Sequence, residues 1–211
     1  MEQLKHLSME EFAAVTASEA PAPGGGSVSA LAGALAAALA EMVAHLTAGR
    51  EKYASVQAEM ERILRELPPV RRKLLDAVDR DSRAFDQYMA ALQMSKDSPA
   101  EKESRWTAMQ EGLKAAVQVP MEVAETAAAL FPILDLVVRC GNHNAVTDGM
   151  VGTMLARTAV LGALFNVRVN LASIQDAAFV RAIGVRADAA QELALNWERQ
   201  ILTSAAWSGQ L

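Results

Sequence analysis

The stretch Ser27–Ala48, SVSALAGALAAALAEMVAHLTA, decides the fold of this chain. Alanine and leucine are strong helix formers, and 22 such residues reach far enough, at about 1.5 Å each, to cross a bilayer. Glu41 and His45 stand one turn apart in it, alanine supplies most of the hydrophobicity, and no strong aromatic flank is present. Those features suit a central helix buried in protein and argue against a membrane span.

The flanking sequence reads the same way. Upstream, Ser8 and Glu11 form a capping-box pattern for a first helix to about Ala17. The loop Pro21-Ala22-Pro23-Gly24-Gly25-Gly26-Ser27 then separates it from the second helix, which starts near Ser27 and stops near Gly49. Downstream a helical pattern runs from about Ser55 to Gln93, and Pro68-Pro69 are expected to kink or break it. Asp97-Ser98-Pro99, with Glu101, starts another helix to Val119, which Pro120 is expected to interrupt before a further helix over Met121–Leu130. A short helix from Pro132 to about Arg139, a turn at Cys140-Gly141-Asn142, and a long helix over Val146–Leu171 follow. The last helix begins after Ser173, with Asp176 in reach of its first turn, and extends to about Ser204. No segment sustains period-two alternation, so the expectation is an all-α fold, a single-domain bundle of long helices over residues 1–211. Such a bundle leaves apolar helix surface uncovered, which predicts a homodimer.

Composition narrows the function classes. The chain is 52% hydrophobic but only 5% aromatic, which favours helices packed through small side chains. A net charge of −5 and no basic patch argue against a nucleic-acid partner, whose phosphates need a basic face. The single Cys140 rules out an intrachain disulfide framework, and the polar start Met1–Glu11 lacks a signal-peptide pattern, so a cytoplasmic location is expected.

Asp81 is the residue most suggestive of chemistry. It interrupts the apolar helical stripe Leu74, Ala77, Val78, Ala84, Phe85 and Tyr88, while Asp79, Arg80, Ser82, Arg83 and Asp86 fall on faces where charge is expected to be solvated. Desolvating a carboxylate raises its pKa towards the range where it exchanges protons. A buried aspartate capping a neighbouring helix would look the same in sequence.

Other candidates are weaker alone. Pro23-Gly24-Gly25-Gly26-Ser27 precedes a helix N-terminus, where backbone N–H groups can cradle an anion or a carbonyl, but it has neither the ending of a P-loop nor a preceding strand. Its glycines equally permit close helix packing. Glu41, His45 and His143 lack the spacing of a metal site, so no metal is expected. Asn142, Asp148, Asn166 and Asn170 add polar groups, although Asp148 and Asn166 sit at opposite ends of about 27 Å of helix and could meet one ligand only if a second subunit closed the gap.

Several motifs in order carry a resemblance. Ala22-Pro23-Gly24-Gly25-Gly26-Ser27-Val28-Ser29-Ala30, Met42-Val43-Ala44-His45-Leu46-Thr47, Asp81-Ser82-Arg83-Ala84-Phe85, Ala116-Val117-Gln118-Val119-Pro120-Met121, Cys140-Gly141-Asn142, Asp148 and Phe165-Asn166-Val167-Arg168-Val169-Asn170-Leu171 together resemble the formiminotetrahydrofolate cyclodeaminase and methenyltetrahydrofolate cyclohydrolase family. The resemblance spans nearly the whole chain and is to the stand-alone form. It implies an all-helical homodimer acting on a tetrahydrofolate derivative, with Asp81 as general acid/base and Pro23 to Ser27 as a cradle for the pterin or the tail. His45, Asn142, Asp148, Asn166 and Asn170 become candidate substrate contacts. Arg50 and Lys52 could meet an anionic glutamate tail, or merely complement the helix dipole. The resemblance implies no metal or redox cofactor, because neither hydride nor electron moves.

Overall fold

The computed structural model describes residues 3–205, and among them all regular structure is helical. The α-helices are α1 Met9–Thr16, α2 Gly25–Thr47, α3 Gln57–Leu92, α4 Pro99–Ala128, α5 Phe131–Cys140, α6 Val146–Leu171 and α7 Ala177–Ala205, with 3-10 turns at Leu4–His6 before α1, Glu51–Val56 before α3 and His143–Ala145 before α6. The predicted capping boxes form at Ser8 with Glu11 and at Ser98 with Glu101. Asp176 accepts from the Phe179 N–H at the start of α7.

Helix α2 lies at the centre, flanked by α3 and α6, with α4 packed across both of these and α7 outside α6. Its small residues let these neighbours come close. A Cβ on Gly33 would sit 3.2 Å from Leu74 of α3 and 3.3 Å from Ala159 of α6. Along α2, Gly25 meets Asn166, Gly33 meets Ala159 and Ala36 meets Gly152, so α2 and α6 run antiparallel. Gly26 beside Asp81 and Glu41 bonded to Arg71 show that α3 is antiparallel to α2 as well. Both α2 and the stretch His143–Leu171 are long and apolar enough to cross a membrane. The buried Glu41, however, is held by Arg71 through two hydrogen bonds of 2.7 and 3.2 Å within the bundle.

Two expected interruptions do not occur. Helix α3 runs through Pro68 and Pro69, and α4 runs through Pro120. Each proline removes the N–H that would bond the carbonyl four residues back. At Pro68 and Pro69 those carbonyls belong to Leu64, which is partly exposed, and Arg65, which is exposed, so water reaches that side while Ile63, Leu67 and Leu74 hold the other face in the core. At the buried Pro120 the freed carbonyl is that of Ala116, and the Asn170 side chain donates to it at 3.3 Å from Nδ2. A borrowed amide hydrogen keeps α4 whole.

Candidate active site

Helix α2 begins without a cap of its own: Gly24 has no side chain to accept from the first-turn N–H groups. Asp81, arriving from α3, fills that place. The Ser27 Oγ lies 3.0 Å from Asp81 Oδ2 and 3.1 Å from the Val78 carbonyl, to both of which it is placed to donate. The Ser27 backbone N–H also faces the carboxylate and favours its ionised form. The aspartate can approach so near because residue 26 is glycine; a Cβ there would collide with Asp81 Oδ1. Ser82 adds its hydroxyl 3.5 Å from that of Ser27.

The electrostatics pull in two directions. Burial pushes the Asp81 carboxyl above its ordinary value, and this is the largest influence, while the side-chain and backbone hydrogen bonds from Ser27 hold it down. Asp81 is therefore a partly buried carboxyl whose proton affinity a single serine restrains. It meets the first turn of a neighbouring helix through Ser27 and at the same time carries a raised proton affinity.

Two asparagines of α6 stand beside the same helix end. The Asn166 amide is 3.5 Å from where a Cβ on Gly25 would lie, and its Nδ2 donates to the Gly162 carbonyl at 2.9 Å. The Asn170 Nδ2 donates to Asn166 O at 3.0 Å as well as to Ala116 O. Both side-chain N–H groups of Asn170 are thus spent on backbone, and neither Asn166 Oδ1 nor Asn170 Oδ1 accepts a hydrogen bond from the described residues. Pro23, Gly24, Gly25, Gly26 and Ser27, together with Asp81, Asn166 and Asn170, form one group.

The remaining candidates lie at the other end of α2, about 30 Å away over the 20 residues from Ser27 to Thr47. Asn142 is buried there and fully engaged: its N–H donates to Thr47 Oγ1 at 2.8 Å, its Nδ2 to Leu46 O at 2.9 Å, and its Oδ1 accepts from the Asn144 N–H at 3.1 Å. Tyr53 receives the His143 N–H at 3.1 Å and carries Lys52 over its ring. His45 and Arg50 are exposed at this end, and Asp148 is partly exposed on the first turn of α6. Within one chain no small ligand at Asp81 reaches them. Among the described residues no three His, Cys, Asp or Glu side chains gather to hold a metal ion.

Two readings of the α3 stripe need correction. Asp79, expected on a solvated face, is only 7% exposed, and its Oδ2 has no hydrogen-bond partner among the described residues. The N-terminal turn Leu4–His6 packs against α3, and Lys5 pairs with Asp76 one turn away, so a face that looks outward on an isolated helix is covered here. Phe85, expected inside the stripe, is 36% exposed. Ser82, also placed on a solvated face by the sequence, is partly buried with its hydroxyl turned to Ser27, because α3 lies against the first turn of α2 there.

The family model described as Formiminotransferase-cyclodeaminase matches residues 8–189. The chain belongs to the formiminotransferase-cyclodeaminase family. It is 40% identical over 178 residues to a formimidoyltransferase-cyclodeaminase of Sus scrofa, covering 84% of this chain but 33% of that protein. It thus spans about a third of such relatives. A methenyltetrahydrofolate cyclohydrolase of Methylorubrum extorquens is 36% identical over 172 residues, with 82% of this chain and 83% of the relative covered. The crystal structure of formiminotetrahydrofolate cyclodeaminase from Thermotoga maritima superposes with a TM-score of 0.85 at 31% identity, covering 95% of this chain and 96% of that one. The family thus includes relatives of this length bearing each of two activity names.

Proposed function

We propose that this protein is a folate one-carbon enzyme acting on the methenyl or formimino carbon of tetrahydrofolate, with Asp81 as general acid/base. The observation that carries the reading is the Asp81 carboxyl, raised in proton affinity by burial and held by Ser27 against a glycine at an open helix end. The names of the relatives support the substrate class.

Both reactions of the family fit one carboxyl. As a cyclohydrolase, water adds to the amidinium carbon of 5,10-methenyltetrahydrofolate and Asp81 takes the proton released. The tetrahedral carbon then expels N5, which receives that proton, while its hydroxyl gives up the second proton to solvent as the formyl C=O forms, leaving 10-formyltetrahydrofolate. As a cyclodeaminase, N10 adds to the carbon of the protonated formimino group (–CH=NH2+) of 5-formiminotetrahydrofolate, Asp81 takes the N10 proton and delivers it to the departing NH2, and ammonia leaves as the cationic methenyl bridge forms. In each case the ionised carboxylate also stabilises the cationic carbon in a place where water screens it poorly. The Oδ1 atoms of Asn166 and Asn170 are the acceptors available for the pterin edge.

The same reading includes a homodimer. Val28, Leu35, Met42 and Leu46 on α2 and Val151, Met154, Phe165 and Val169 on α6 are exposed apolar residues on two helices that lie side by side. A second copy covering this face would bring its own Asp148, Arg50 and Lys52 towards Asp81, which one chain cannot do, whereas the buried Asn142 stays bonded within its own chain.

Following the methenyl chromophore separates the activities. Accelerated loss from 5,10-methenyltetrahydrofolate identifies a cyclohydrolase, and accelerated gain from 5-formiminotetrahydrofolate a cyclodeaminase. Asp81→Asn is expected to lower kcat by at least about 100-fold while folate still binds. Full activity in that variant would defeat the mechanism, and no turnover of either substrate by the unaltered protein would point to a folate-binding module without catalysis.

A further inference from the structure

Helix α3 runs on past the start of α2. Because the two helices are antiparallel and Gly26 stands opposite Asp81, the eleven residues from Ser82 to Leu92 extend beyond the first turn of α2 without that helix alongside. On the ridge that Asp81 begins, the next positions at intervals of four are Phe85 and Met89, which are 36% and 37% exposed. This is an apolar ledge leading directly away from the carboxyl, in a chain with only five phenylalanines.

We infer that Phe85, backed by Met89, is the surface on which the aminobenzoyl ring of the folate lies, and that it makes the site select a folate over a bare pterin. The inference rests on the folate reading above. Its support is covalent geometry. The reacting carbon bonds, or comes to bond, N10, and the aromatic ring begins one bond beyond N10. A ligand whose reacting carbon sits at Asp81 therefore places its ring about one helical turn away, and Phe85 is displaced from Asp81 by about 6 Å along α3. Aromatic rings pair at centroid separations of about 4.5–7 Å, within reach of that offset. The pterin, on the N5 side, is left to the amide oxygens of Asn166 and Asn170 and the glycine turn. The site thus divides into a polar half on α2 and α6 and an apolar half on α3.

The test compares equilibrium binding of tetrahydrofolate with that of 6-methyltetrahydropterin, which lacks the ring. Phe85→Ala is expected to weaken tetrahydrofolate binding about tenfold and to leave the pterin unaffected. Phe85→Leu, which keeps bulk without an aromatic face, should fall between, and both variants should keep the oligomeric state of the unaltered protein by light scattering. Equal loss for both probes, no loss for either, or a changed oligomer in place of a selective loss would overturn the assignment. Failure of the unaltered protein to bind either probe would defeat the folate reading itself. Intact binding that ignores Phe85 would defeat only the ring assignment.

Discussion

At the scale of single residues, the proton affinity of Asp81 turns on one hydroxyl. Ser27 lowers the proton affinity of Asp81 against the larger opposing influence of burial, so removing it leaves burial unopposed. If the carboxylate must be ionised to take the first proton, activity is lost as pH falls through its raised pKa. Ser27→Ala is then expected to move the acid limb of the kcat/KM profile to higher pH; a limb that stays put or moves down would separate Ser27 from the titration. Stability carries the opposite sign. Between the ordinary carboxylate value and the raised one, folded Asp81 keeps a proton that the unfolded chain has released, so its contribution falls as pH rises through that interval and a fixed penalty remains above it. Asp81 was legible in sequence because it broke an apolar stripe. Asp79 was misread because tertiary packing buries its side of α3, which sequence periodicity cannot see.

At the scale of elements, local signals located most ends and misjudged the interruptions. Helix α6 spans Val146–Leu171 as its flanking turn predicts, and the capping boxes at Ser8 and Ser98 form as their spacing requires. Proline effects depend on what surrounds the orphaned carbonyl, and that is tertiary information. At Pro120 the partner is Asn170, 50 residues later in the chain, so a candidate ligand contact is also a splint for α4. Asn170→Ala is expected to cost about 1 kcal/mol beside Pro120, and measurably less in a Pro120→Ala background, where a backbone N–H can return to Ala116. Urea unfolding of the two singles and the double variant measures that coupling. Additive losses would show that the Asn170 amide does not support the break.

At the scale of the whole molecule, the uncovered face of α2 and α6 asks for a second copy. Leu35 and Met154, 48% and 52% exposed, lie on that face. Leu35→Glu with Met154→Glu is expected to yield monomers by analytical ultracentrifugation, with activity lost if the partner completes the site. A variant that remains dimeric would place the interface elsewhere. The sequence held the apolar excess behind that proposal, but not which residues lie on the uncovered face, since α2 is apolar nearly all round and only packing shows which sides α3 and α6 cover. The open start of α2 also bears on how the chain is made. Its cap is a side chain 54 positions after Ser27, so during synthesis the alanine-rich helix emerges with a frayed first turn and no local residue to fasten it. Only when α3 folds back does Asp81 close that turn, and the same event assembles the proposed reactive centre, so on that proposal a partly folded bundle with its helices formed but α3 undocked would be catalytically silent.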